Sequence, residues 1–171
     1  MLIKLLLMTG LISVFCQDLR YRAVYWWCFP VIFVLLLVLA KENADWHSVV
    51  ANSLYNVAFL LLQLAVLTVY FSFRQRKLVI ITKGLLGWGD VLLLLCLAFY
   101  FSPLTYLLFY VSSLIIVLLF TLLIRLKDKE AGMKVPLAGL QALLFAILLV
   151  ADWNSSFINT ASDDWLLYLI P

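Results

Sequence analysis

Long apolar runs separated by short polar breaks organise this chain. Residues 2–15 form the first run, with Lys4 its only charge, and the polar turn Gln17-Asp18-Leu19-Arg20-Tyr21-Arg22 follows. A second run covers residues 24–40 and opens on Tyr25, Trp26 and Trp27, aromatics of the kind enriched where a membrane meets water. A third, residues 49–73, carries Asn52, Asn56 and Gln63 at gaps of four and seven, near one helical face that suits a neighbouring helix or a wet cavity. The fourth begins at Gly87-Trp88-Gly89-Asp90 and ends near Phe101, and Ser102-Pro103 turns it into a fifth over residues 104–124. The sixth covers residues 135–150, and a mixed tail follows it. Only Leu78 to Ile81 has the composition of a strand, and that stretch is too short to cross a bilayer.

Composition settles which solvent these runs face. Of 171 residues, 67% are hydrophobic and 12% charged, with a mean hydropathy of +1.13. No soluble core of this size hides so much apolar surface, so the pattern predicts an all-α integral membrane protein. At about 20 residues per span the chain accommodates about six transmembrane helices. The expected organisation is a six-helix membrane domain over residues 1–151 and an extracytoplasmic or interfacial tail over 152–171. The first run resembles a signal peptide, but bulky Phe15 before Cys16 argues against cleavage there, and we read it as a retained span.

Charge sets the expected orientation. Arg20, Arg22, Arg74, Arg76, Lys77, Lys83, Arg125, Lys127, Lys129 and Lys134 fall in the first, third and fifth connections, and only Lys4 and Lys41 fall elsewhere. The positive-inside rule makes those connections cytoplasmic and both termini extracytoplasmic. The net charge of +3 is thereby explained without a nucleic-acid partner. Cys16, Cys28 and Cys96 form no C-x-x-C pair, and His47 has no second ligand at metal-binding spacing, so neither a metal nor a disulfide is expected.

Two carboxylates stand out. On this topology Asp18 closes the first span and Asp90 opens the fourth, both at the cytoplasmic border. An ionisable group at that depth is a functional candidate. Two carboxylates sharing a low-dielectric site can hold one proton between them, the arrangement for aspartic peptide hydrolysis. The residues alone leave simpler roles open. Asp18 can cap a helix or pair with Arg20 or Arg22, and Asp90 can cap the helix it opens.

Gly87-Trp88-Gly89-Asp90-Val91 resembles the G-x-G-D motif of membrane-embedded aspartic peptidases. Within that group the chain is most similar to the type IV prepilin peptidases and their archaeal preflagellin relatives. Asp18-Leu19-Arg20-Tyr21-Arg22-Ala23-Val24 resembles their first aspartate motif, and Lys134-Val135-Pro136-Leu137-Ala138-Gly139 resembles the Pro-containing entry to their last helix. A presenilin-type peptidase shares G-x-G-D, but it has more spans and a Tyr-Asp pair where this chain has Gln17-Asp18. The resemblance implies that Asp18 and Asp90 are the catalytic pair, that Gly87 and Gly89 give flexible, close-packed backbone around Asp90, and that Pro136 shapes the site. It further implies a multi-pass protein of the cell inner (plasma) membrane, no cofactor or metal, and a substrate that is a prepilin-like precursor cut at the cytoplasmic face. The chain departs from the pattern at Leu92, where the family usually has Lys, and at Tyr25, where Pro is common. It has no segment resembling the family's paired-cysteine domain, so N-methylation is not implied. The competing expectations are a non-catalytic assembly factor or transporter subunit, and an inactive peptidase homologue.

Overall fold

The computed structural model describes residues 1–76, 87–127, 137–154, 159–163 and 165. Six helices account for most of them: α1 (Leu2–Tyr21), α2 (Cys28–Asn43), α3 (Trp46–Gln75), α4 (Trp88–Ala98), α5 (Pro103–Lys127) and α6 (Leu137–Asn154), with no strand among the described residues. Pro136, the 78–81 stretch, the charged loop after α5 and the apolar end of the tail lie outside the described residues.

Four of the helices, α1, α3, α5 and α6, are long and apolar enough to cross a membrane, and α4 is a shorter apolar helix. The chain is a multi-pass membrane protein whose interior and exterior are both apolar. Leu7, Leu11, Ile32, Leu36, Leu93, Leu97, Phe145 and Leu149 fill the core. Leu54, Leu61, Phe73, Leu118 and Leu123 are exposed and face the position of the lipid. Helices suit this environment because each satisfies its own backbone groups where no water can.

Three boundaries differ from the hydropathy reading. The Gln17–Arg22 segment is not a loop: α1 continues to Tyr21, so Asp18 sits inside its last turn. Arg22 then ends the helix in the left-handed region (φ 52°), with its N–H donating to the Asp18 carbonyl at 2.9 Å. Tyr25, Trp26 and Trp27 lie in the connection, where the Tyr25 N–H donates to the Gln17 side-chain oxygen at 3.1 Å, and α2 begins only at Cys28. The fourth run stops being helical at Ala98, not Phe101. Asn56 of α3 explains that early stop: its buried amide donates to the carbonyls of Ala98 (2.9 Å) and Phe101 (2.8 Å), which the helix end leaves unpaired. Asn56 therefore serves helix–helix contact, and its amide is not free to line a polar path.

α1 and α6 run antiparallel in close contact. Gly139 meets Asp18 at one end, and the Lys4 ammonium lies 4.8 Å from the Trp153 ring centroid at the other. At that second end the tail folds back over the α4–α5 turn. Asp152 accepts from the Thr160 N–H (3.1 Å), the Thr160 carbonyl accepts from the Ser102 N–H (3.2 Å), and Asp163 accepts from the Thr105 N–H in the first turn of α5 (3.3 Å). Phe145 packs edge to face against both Phe101 and Phe109 beneath it, with Phe101 and Phe145 centroids 5.3 Å apart.

Candidate active site

Three helix ends meet at the opposite pole of the bundle: the C-terminus of α1, and the N-termini of α4 and α6. The first four N–H groups of any helix lack an intrahelical acceptor, and the helix dipole adds partial positive charge there. In α6, which begins at Leu137, the second and third of these belong to Ala138 and Gly139. The Gly139 N–H donates to Asp18 Oδ2 at 2.6 Å. The Ala138 amide lies near the Asp90 carboxylate. Two carboxylates 72 residues apart in the sequence thus come together at one helix terminus, which holds Asp18 by a backbone hydrogen bond.

Both carboxylates are buried, with Asp18 7% exposed and Asp90 9% exposed, and they are near enough to interact electrostatically. Asp90 Oδ2 also reaches back to the Gly87 N–H at 3.1 Å, the N3-to-N-cap half of a capping box. Asp90 therefore caps the helix it opens while lying near Asp18. Asp18 points into the bundle toward α6, while the Arg20 guanidinium lies 5.5 Å from the Tyr21 ring centroid.

The glycines divide into two kinds. Gly87 has an ordinary extended backbone (φ −70°, ψ 139°), so its conformation does not require glycine. A Cβ there would stand 3.0 Å from Asp90 Oδ2, which makes its small size the relevant property. Gly89 faces Phe29, Ala138 and Val24, all within 3.9 Å of where its Cβ would lie, and so lets α4 approach α2 and α6. The tightest contact belongs to Gly139. A Cβ there would meet Asp18 Cβ at 2.9 Å, Asp18 Oδ2 at 3.1 Å and the Phe15 carbonyl at 3.3 Å.

The roles of Ala138 and Gly139 are not visible in the chain. A backbone amide leaves no mark on residue type, and the only available signal was a glycine in the first turn of an apolar helix. Leu92 packs its side chain on the apolar core. Cys16, Cys28 and Cys96 are free thiols, and Cys96 is buried with its Sγ donating to the Phe29 carbonyl at 3.5 Å. Among the described residues no three His, Cys, Asp or Glu side chains converge as a metal site would require.

A model of the type IV leader peptidase family matches residues 5–122, a stretch that contains both aspartates and the Gly-Trp-Gly-Asp element. No curated protein and no solved structure matches the chain.

Proposed function

The chain belongs to the type IV leader peptidase family, and from that premise we propose that it is a membrane-embedded aspartic endopeptidase that removes the leader of a prepilin-like precursor. The observation that carries this reading is the convergence of the buried carboxylates of Asp90 and Asp18 at the first turn of α6, where the Gly139 N–H holds Asp18. A pair held this way has fixed geometry before substrate arrives, which is what general acid–base catalysis needs.

In the proposed reaction the pair carries one proton. The ionised carboxylate takes a proton from water as the water oxygen bonds to the scissile carbonyl carbon, and the protonated carboxyl gives its proton to the carbonyl oxygen. The resulting gem-diol collapses: one hydroxyl returns its proton to the ionised carboxylate, the C–N bond breaks, the amine leaves with a proton from the other carboxyl, and a carboxylic acid remains on the leader while the pair again holds one proton. Like charges in so dry a site disfavour double ionisation, so a single shared proton is the natural state of such a dyad.

The same reading takes six spans, both termini extracytoplasmic and the dyad at the cytoplasmic face of the plasma membrane, supported by the bias of Arg and Lys toward one set of connections. Residues 1–151 then form the peptidase unit and 152–171 a tail, whose Thr160 and Asp163 dock at the far pole. The basic connections repel a basic leader, so the substrate's apolar helix, entering between spans, supplies recognition. Gly87 and Gly89 keep the backbone around Asp90 closely packed, and Pro136 would set the entry to α6.

The test is cleavage of a pilin-like precursor by the purified full chain in lipid, beside Asp18→Asn and Asp90→Asn. Each variant should lose activity by at least about a thousandfold while still inserting and melting as the wild type does. Full activity in both would dismiss the dyad.

A further inference from the structure

Beside the dyad lies a cavity of about 30 Å³, walled by α3, α4, α5 and α6, that the reaction described above leaves unassigned. Val91 and Leu94 line it from α4, Leu137 from α6, Leu64 and Leu67 from α3, and Leu114 from α5, and its wall is almost entirely apolar. Val91 directly follows Asp90, and Leu137 opens the helix whose Gly139 amide holds Asp18. Leu94 stands four residues beyond Asp90, about 6 Å further along α4. The cavity therefore begins at the dyad and runs along α4, away from the pole where the dyad sits.

Water held against such a wall would lack hydrogen-bond partners, so an apolar group is its natural occupant. There is room for about two methyl-sized groups. An unfilled apolar space weakens packing, and here it coincides with loosely packed helices. Beyond Leu60 no side chain of α3 is buried, and beyond Val117 none of the described side chains of α5 is.

Depth identifies the occupant. A polypeptide cut at the dyad extends on both sides of the scissile bond. The basic leader of the substrate class proposed above stays at the polar surface, whereas the apolar arm continues into the membrane and passes the cavity. We propose that this cavity is the subsite for the side chain immediately after the scissile bond, and that Leu64, Leu67 and Leu114 set its size and so the side chain preferred there. The assignment rests on the aspartic-peptidase reading of Asp18 and Asp90.

The test compares pilin-like precursors with alanine, valine or phenylalanine directly after the scissile bond, cleaved by the full chain in nanodiscs, with the cut confirmed by product mass. Each buried methylene group is worth about fourfold in kcat/KM, so the wild type should favour valine over alanine by about fifteenfold. Leu114→Phe fills the cavity and should bring that ratio close to one. Leu64→Phe, which fills it from the opposite wall, serves if Leu114→Phe does not fold. Leu114→Ala enlarges the cavity and should raise the phenylalanine-to-valine ratio severalfold. Exposed Leu118, one turn further along α5, is the control: Leu118→Phe should keep the wild-type ratios. Equal cleavage of the alanine and valine precursors by the wild type overturns the subsite, as do ratios that neither filling variant moves. A filling variant that slows all three precursors alike shows a packing role, for lipid or for the bundle itself, and overturns it too. A chain that cleaves no precursor refutes the peptidase reading and the subsite with it; one that cleaves all three without preference refutes the subsite alone.

Discussion

Gly139→Ala is the smallest perturbation that strikes the grip on Asp18. The added methyl would stand 2.9 Å from Asp18 Cβ and 3.3 Å from the Phe15 carbonyl oxygen. Carbon–carbon contact is most favourable at about 3.5–4.0 Å, so α1 and α6 must part by roughly 0.6–1.1 Å. The 2.6 Å bond from the Gly139 N–H to Asp18 then stretches past about 3.2 Å, the outer edge of useful N–H···O geometry. Neither neighbour yields cheaply, because one is backbone and the other is a β-carbon fixed to its helix. Overpacking of this kind costs about 1–3 kcal/mol of stability. Misplacing a reacting group by about 1 Å lowers the rate by about a hundredfold, so kcat/KM should fall by between one and two orders of magnitude. Precursor cleavage and thermal melting, measured together in the same lipid, read both effects. Gly10→Ala is the matched control: it is also a helical glycine at a helix contact, but its Cβ would meet only the Ile32 side chain at 3.4 Å. It should leave activity unchanged and gain up to about 1 kcal/mol of helix propensity. Wild-type activity in Gly139→Ala, or equal damage from Gly10→Ala, would refute the close-approach reasoning.

Gly89→Ala should be nearly silent, since its Cβ finds ordinary contacts at 3.6–3.9 Å, whereas Gly89→Leu has no room between Phe29, Val24 and Ala138 and should abolish cleavage. Asn56→Leu removes two buried hydrogen bonds and strands the Ala98 and Phe101 carbonyls, so the melting transition should shift by the equivalent of about 1–3 kcal/mol. Because Asn56 lies at the far end of α4 from Asp90, KM should not change. The pH–rate profile should be bell-shaped: below the optimum both aspartates are protonated and no base remains, and above it both are ionised and no acid remains. A profile with a single limb would contradict a pair sharing one proton.

That the chain is built of apolar helices, several long enough to cross a membrane, was legible in the sequence, because transfer of apolar side chains out of water is local and nearly additive. The two unusual carboxylates were legible for the same reason, since a charge stands out against residues such as Val91 to Leu95. Helix ends were less so. Asp18 looked like part of a turn because Gln17 through Arg22 are polar, yet burial against α6 holds that segment helical. The leucine-rich fourth run looked helical to Phe101, yet a side chain 42 residues away takes the carbonyl at Ala98.

By itself, then, the sequence determined the all-helical, apolar character of the chain, the charge asymmetry between its connections and the two acids worth watching. Only the tertiary structure decided that these acids come together at the first turn of α6, with Asp18 on the Gly139 amide. The reason is physical. Hydropathy belongs to a residue wherever it lies, whereas the grip on Asp18 depends on a backbone group that every residue carries, and on how closely Gly139 lets two helices approach.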